Sequence, residues 1–149
     1  MSRNPYSPPT ASVADPPPGA PLVRPVVVRR AVQLLWISFG GGFLGGIFHA
    51  GPSEPWTITL GFMAAFGSIL AWLIVKIAGR RNWARITYLI LAVVSDVDSV
   101  SSLPSSRDLY HAYPGVLVLD ISGLVLEAVA LCLLFTRPAN AWFRVRSEA

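Results

Sequence analysis

Two acidic residues, Asp120 and Glu127, lie within one apolar run that extends from Val116 to Phe135. Seven residues make nearly two helical turns, so both carboxylates share one helix face, about 10 Å apart along the axis. A charge near the bilayer midplane costs at least about 2.5 kcal/mol, and such residues often mark ion or proton pathways. The pair therefore has two interpretations: a proton or cation relay, or a neutral acid that hydrogen-bonds a neighbouring helix.

A second run offers partners for this pair. Tyr88 and Ser95 share a helix face with Arg85, Ala92, Ser99 and Ser102, because all are spaced by three or four residues. A short loop joins the two runs, so their helices are antiparallel, and matching their ends brings Glu127 close to Tyr88 and Ser95. We expect Tyr88 or Ser95 to hydrogen-bond Glu127, and Asp120 to lie near Ser95 and Ser99.

The remaining motifs carry weaker signals. Asp96 and Asp98, with Asp108 and His111, offer oxygen ligands for a cation, but Val100 breaks the EF-hand pattern, and solvated carboxylates at a helix end are the alternative. His49 and His111 are both expected to be alone, on the outer side. Cys132 has no second thiol to pair with. We predict no catalytic residues, no metal site and no cofactor, and therefore no enzyme.

The composition excludes an ordinary soluble domain. Only 13% of the 149 residues are charged and 53% are hydrophobic, whereas soluble domains carry about 25% charge. The mean hydropathy is +0.54 and the net charge is +4. The basic residues cluster at the ends of apolar runs, as membrane topology requires, so we do not expect nucleic acid as a partner.

Four apolar runs predict four membrane-spanning helices, at about residues 31–48, 56–75, 84–103 and 116–135. The fold class is thus an all-α, four-helix transmembrane bundle in a membrane domain of residues 26–138. The first helix carries closely spaced glycines that let another helix approach, and we expect it to pack against the second: Gly41, Gly42, Gly45 and Gly46. The third helix reaches full length only if it continues through Asp96 and Asp98.

The flanking segments differ in character. Residues 1–25 hold eight of the thirteen prolines, which predicts a disordered tail that is partly polyproline II. Residues 139–149 predict an interfacial tail. Eleven of the twelve Lys and Arg residues lie in the two tails and the central loop, against Arg107 alone in the other loops. The positive-inside rule then places both termini in the cytoplasm.

Basic and aromatic side chains alternate around the central loop and recur near the C-terminus: Arg80, Arg81, Trp83, Arg85 and Trp142. Tryptophan rings favour the headgroup level, and basic side chains favour anionic lipid. These residues are therefore expected to anchor the protein at the interface, with a regulatory lipid site as the alternative.

Three local patterns resemble a group of small, uncharacterised bacterial inner-membrane proteins with four spanning helices. They are the Asn4-Pro5-Tyr6-x-Pro8-Pro9 start, the loop Gly79-Arg80-Arg81-Asn82-Trp83-Ala84-Arg85, and the end Leu133-Leu134-Phe135-Thr136-Arg137-Pro138-x-x-x-Trp142-Phe143. The resemblance touches about a fifth of the chain and implies the four-helix architecture and the bacterial inner membrane. It implies no activity and no site residues.

Two functions follow from the sequence. The first is a non-enzymatic interaction or accessory protein that contacts a partner through its tail and basic loop. The alternative is a small oligomeric protein that conducts protons or cations through Glu127 and Asp120. The expected partners are the lipid bilayer and, beyond it, a second copy of the chain or another membrane protein.

Overall fold

The computed structural model describes residues 23–50 and 55–144, and every regular element in these ranges is helical. Six helices follow one another: α1 (Val26–His49), α2 (Trp56–Ala78), α3 (Asn82–Ser102), α4 (Arg107–Ala112), α5 (Pro114–Leu134) and α6 (Arg137–Arg144). The all-α prediction is confirmed for these residues. Most of the predicted disordered tail, at 1–22, and the end of the C-terminal tail, at 145–149, lie outside them.

Several helix ends differ from the expected ones. α1 begins directly after Pro25, several residues before its apolar stretch, so that Arg29 and Arg30 lie on the helix itself. α3 continues without a break through Asp96 and Asp98 and ends just before Pro104. Two short helices, α4 and α6, occupy segments that the sequence assigned to a polar loop and an interfacial tail.

Three of the described helices, α1, α2 and α5, are long and apolar enough to cross a membrane. Their large side chains are widely exposed, including Phe62, Ile69 and Trp72 on α2. A surface of this kind is a liability in water and is the normal surface in lipid. The fold therefore fits a membrane protein. α3 has the length of a span, but the two aspartates and several serines in its second half lower its hydropathy.

The four long helices form a ring. α1 packs most extensively against α5, α1 and α3 each contact α2, and α3 closes the ring by meeting α5 at fewer points. Successive helices alternate in direction. The end that carries the chain's arginine-rich segments is called here the basic end, and the opposite end, with Asp98, Asp108 and α4, the acidic end.

The packed core lies toward the basic end. It brings together one half of each long helix, represented by Leu35, Ile74, Tyr88 and Leu134, and α6 covers it with Phe143. All five side chains are almost completely buried. Dense apolar packing here fixes the relative positions of the helices, and the other half of the ring is free to hold polar groups.

Arg85 lies inside this core, which differs from the interfacial role expected for it. Only 8% of its surface is exposed. Its Nη1 donates to the carbonyl of Leu134 at 3.0 Å and to Asn140 Oδ1 at 2.7 Å. The rings of Phe135 and Phe143 flank the guanidinium at 4.8 and 4.7 Å. The carbonyl end of α5 and two aromatic faces thus balance the buried charge, because both favour cations.

The glycines of α1 serve mainly α5 rather than α2. A Cβ at Gly45 would lie 2.7 Å from Asp120 Oδ1, and one at Gly41 would contact Leu119 on the same helix. Gly46 instead faces Met63 on α2, and a Cβ at Gly42 would meet nothing within 4 Å. The Asp120 carboxylate on α5 therefore occupies the space beside Gly45, and a larger residue at this position has to displace it.

We predict that Gly45→Ala destabilises the protein by about 1–3 kcal/mol, because the new methyl group must displace the Asp120 carboxylate. Gly42→Ala is the matched control, since it adds the same methyl group to open space. It should be neutral or stabilising by up to about 1 kcal/mol, because alanine favours helix. Unfolding of both variants in mixed detergent micelles measures the difference, and equal stabilities would contradict this packing.

Candidate functional site

A cavity of about 410 Å³ lies inside the helix ring, between the packed core and the acidic end. Its wall on α1 and α2 is mostly apolar, with Phe39, Phe66 and Leu70. Its wall on α3, α4 and α5 is polar. The polar lining among the described residues comprises Asp96, Asp98, Asp120, Glu127, Ser38, Ser95, Ser99, Ser102, Ser106, Tyr88, Tyr110 and His49.

The inner end of the cavity is formed by Glu127 on α5 and Tyr88 on α3. The Tyr88 hydroxyl and the Glu127 carboxyl group face each other closely enough to interact, and Asp96 lies close enough to interact electrostatically with both. Tyr88 is 2% exposed and belongs to the core as well as to the cavity wall. The antiparallel matching of helix ends thus brings the expected pair together, through Tyr88. Ser95 lines the same cavity about two helical turns further along the same face of α3.

Asp120 lies at the outer end of the cavity, toward the acidic end of the bundle. Its Oδ2 accepts from His49 Nε2 at 2.8 Å and from the Tyr110 hydroxyl at 3.1 Å. The rings of His49 and Tyr110 meet edge to face, 6.0 Å apart. One carboxylate therefore ties the end of α1 and the short helix α4 to α5.

The pKa of the Tyr110 phenol depends on the charge at this outer end of the cavity. Burial raises the pKa of its phenol above the usual value, and the hydrogen bond to Asp120 and the negative charge of that carboxylate raise it further. The phenol therefore stays protonated and remains a donor throughout the physiological range. Tyr110 thus ties α4 to α5 by the hydrogen bond from its hydroxyl to Asp120.

Two neighbours at this end differ from the sequence-based expectation. His49 is not alone, as expected, but is paired with Asp120, and both hydrogen bonds of Asp120 go to residues outside the predicted α3 stripe. Tyr110 was assigned to a loop. His49 ends the first span and Asp120 lies near the start of the last one. If the ends of α1 and α5 are matched, as was done for α3 and α5, His49 and Asp120 come to lie beside each other.

The lining chemistry favours positively charged species. Carboxylates and serine hydroxyls present oxygen atoms, which are the ligands of hard cations and the acceptors of protons. Neither Lys nor Arg is among the described residues of the lining. Within residues 23–50 and 55–144, no group of three or more His, Cys, Asp or Glu side chains is arranged to hold a metal ion. The cavity therefore suits protons or loosely held cations.

The expected interfacial residues lie at the basic end, with different exposures. Arg81 and Trp83 are exposed, and Trp83 contacts Trp72 at 5.4 Å between ring centroids. Trp142, on α6, is partly buried beneath Arg80, whose guanidinium lies 5.4 Å from the ring centroid. Only Arg81 and Trp83 are thus placed as free anchors.

Comparisons of the chain with protein-family models, with curated proteins and with solved structures found no match. A function is therefore inferred from the two ends of the cavity, at Glu127 and at Asp120.

Tyr88→Phe should destabilise the protein by about 0.6–2 kcal/mol, the contribution of one hydrogen bond between membrane helices. Ser95→Ala removes a hydroxyl from the same helix face and should leave stability nearly unchanged, because Tyr88 supplies the bond to Glu127. Unfolding in mixed micelles compares the two variants. If Ser95→Ala were the more damaging change, the pairing of Tyr88 with Glu127 would be incorrect.

Proposed function

We propose that this chain is a multi-pass inner-membrane protein, without enzymatic activity, that takes protons or small cations into its cavity through Asp120 and Glu127. The observation that carries this proposal is the cavity lining. Four of the five carboxylates in the described residues line it, and the charged side chains of Lys and Arg stay away from it. A cavity of one sign concentrates ions of the opposite sign.

We place α3 in the membrane as the fourth span. Its 21 residues extend about 31 Å, which matches a bilayer core. Its two aspartates and three of its four serines, Ser95, Ser99 and Ser102, lower its hydropathy, but these side chains line the cavity and would not meet lipid. The apolar residues Ile90, Val93 and Val97 are exposed instead and would face lipid. The resemblance to four-helix inner-membrane proteins agrees with this count.

The proposed orientation puts the basic end in the cytoplasm. The excess of Lys and Arg at that end is the usual determinant of topology. The cavity then loads from the outer side, through the end closed by His49, Tyr110 and Asp120. Glu127 lies at the inner limit, and the packed core closes the way to the cytoplasm. This arrangement is that of a protein that opens to one side at a time, or one that completes its pathway with a second copy.

A second candidate function is the accessory role. It is favoured by the exposed arginines at the basic end, Arg29, Arg30 and Arg81, which would contact a partner together with the proline-rich tail. In that role Glu127 serves only to join α3 and α5. Removal of the tail, residues 1–25, would abolish function, and replacement of Glu127 would not.

Proton flux separates the two functions. Liposomes with the purified full-length protein and an entrapped pH indicator should show flux that Glu127→Gln reduces on the order of a hundredfold, the effect of losing one positioned proton-transfer group. Asp108→Asn is the matched control, because Asp108 is exposed on α4 and lies outside the cavity lining. It should conduct like the wild type.

Absence of flux in all three folded proteins would contradict proton conduction and leave Glu127 as a structural contact. Flux that survives Glu127→Gln would place the pathway elsewhere.

A further inference from the structure

The basic end contains hydrogen-bond donors that have no acceptor. Among the described residues, the buried Arg80 Nη2 and Trp142 Nε1 lack a hydrogen-bond partner, and so does Nε of the nearby Arg85. A buried charged donor without an acceptor is costly. None of the described carboxylates forms an ion pair with Arg24, Arg80 or Arg85. Donors and positive charge are therefore in excess at this end.

Two guanidinium groups converge on Trp142. The Cζ atoms of Arg80 and Arg24 lie 5.4 and 5.9 Å from the centroid of its ring. Arg80 Nε also donates to the Trp142 carbonyl, and Arg24 Nη2 donates to the carbonyl of Ala78 at 2.6 Å. These contacts hold both guanidinium groups against the same ring, and none of the described carboxylates pairs with either of them. An oxyanion bound by the two groups would balance this positive charge and accept charge-assisted hydrogen bonds from them.

The backbone directs Arg80 toward this position. The helix α2 ends in a Schellman turn, in which the Arg80 and Arg81 amides donate to the carbonyls of Ile77 and Lys76, both at 3.0 Å. Arg80 takes the left-handed position of this turn, with φ of 66°, where glycine is the usual residue. The neighbouring Gly79 does not occupy it. An arginine is thus held in a strained conformation that turns its side chain back onto α6.

We propose that Arg80 and Arg24, which both lie against the Trp142 ring, form a binding site for a phosphate-type oxyanion, supplied by the headgroup of an anionic phospholipid. Arginine binds phosphate through several parallel hydrogen bonds. The exposed Trp83 and the Lys76–Trp72 contact, at 5.3 Å, mark the same end as a membrane interface. A free phosphate ion shares this chemistry, so the test must separate the two sources.

The test uses the full-length protein in neutral detergent micelles. A short-chain phosphatidylglycerol is added, with the matching phosphatidylcholine as the neutral reference, and binding is followed by the thermal unfolding midpoint and by tryptophan fluorescence. In separate samples inorganic phosphate replaces chloride at equal ionic strength. A response to phosphatidylglycerol alone identifies the lipid as the source. A response to inorganic phosphate as well identifies a site for the free anion. A response to neither overturns the proposal.

Two variants with the same loss of charge provide the control. Arg80→Gln should raise the apparent dissociation constant for phosphatidylglycerol at least about tenfold, because it removes direct donors. Arg81→Gln, on an exposed neighbour, should raise it about fivefold or less, the effect of one charge near an anionic surface. Equal losses would mean a general attraction to surface charge and would overturn the site.

Arg80→Gly separates binding from folding. Glycine relieves the left-handed strain of the turn, so this variant should fold at least as well as Arg80→Gln. It should nevertheless bind phosphatidylglycerol as weakly as Arg80→Gln. Binding that recovers in Arg80→Gly would show that the turn, and not the guanidinium, determines the effect, and would overturn the proposal.

Discussion

In the proposed four-span arrangement, the carboxylates on α3 and α5 impose one constraint on the whole fold, because they cannot face lipid. Asp96, Asp120 and Glu127 would each have to be paired, hydrated or neutral within the membrane. The ring meets this constraint by turning the polar faces of α3 and α5 inward. α3 then stands off α5 where the carboxylates meet, and the space between them becomes the cavity. The close contact of α1 with α5 at Gly45 and the spacing of α3 are two consequences of the same polar face.

At the basic end, the buried charge is positive instead of negative. Arg85 enters the core with the C-terminal carbonyls of α5, Asn140 and two phenylalanine rings around it. No carboxylate is needed, because a helix C-terminus carries partial negative charge. α6 supplies two of these groups, Asn140 and Phe143, and also carries Trp142 beneath Arg80 and Arg24. The short amphipathic helix is therefore a structural component of the bundle and the platform of the proposed anion site.

Local patterns in the sequence predict much of this arrangement. Apolar length and the placement of arginines indicate the long helices, and a period of three to four residues indicates the stripe that brings Tyr88 to Glu127. The partners of Asp120 depend on contacts between the first and last spans, which no local pattern encodes. Local patterns also did not predict the burial of Arg85, because the composition of the surrounding loop is typical of a membrane interface. The α4 and α6 helices gain their stability from packing, since isolated helices of that length are marginal.

We propose that the polar face of α3 lines a cavity that water enters from the acidic end, past the contacts of Asp120 with His49 and Tyr110. The most direct test compares two cysteine variants of the same helix in a Cys132→Ser background, treated with a membrane-impermeant thiol reagent in oriented vesicles. Ser99→Cys lies in the cavity wall, whereas Val97→Cys lies on the outer face, where valine is 65% exposed in the bundle and would meet lipid. We predict fast modification of Ser99→Cys from the side of the acidic end and slow modification of Val97→Cys. Equal rates, or faster modification of Val97→Cys, would contradict the cavity.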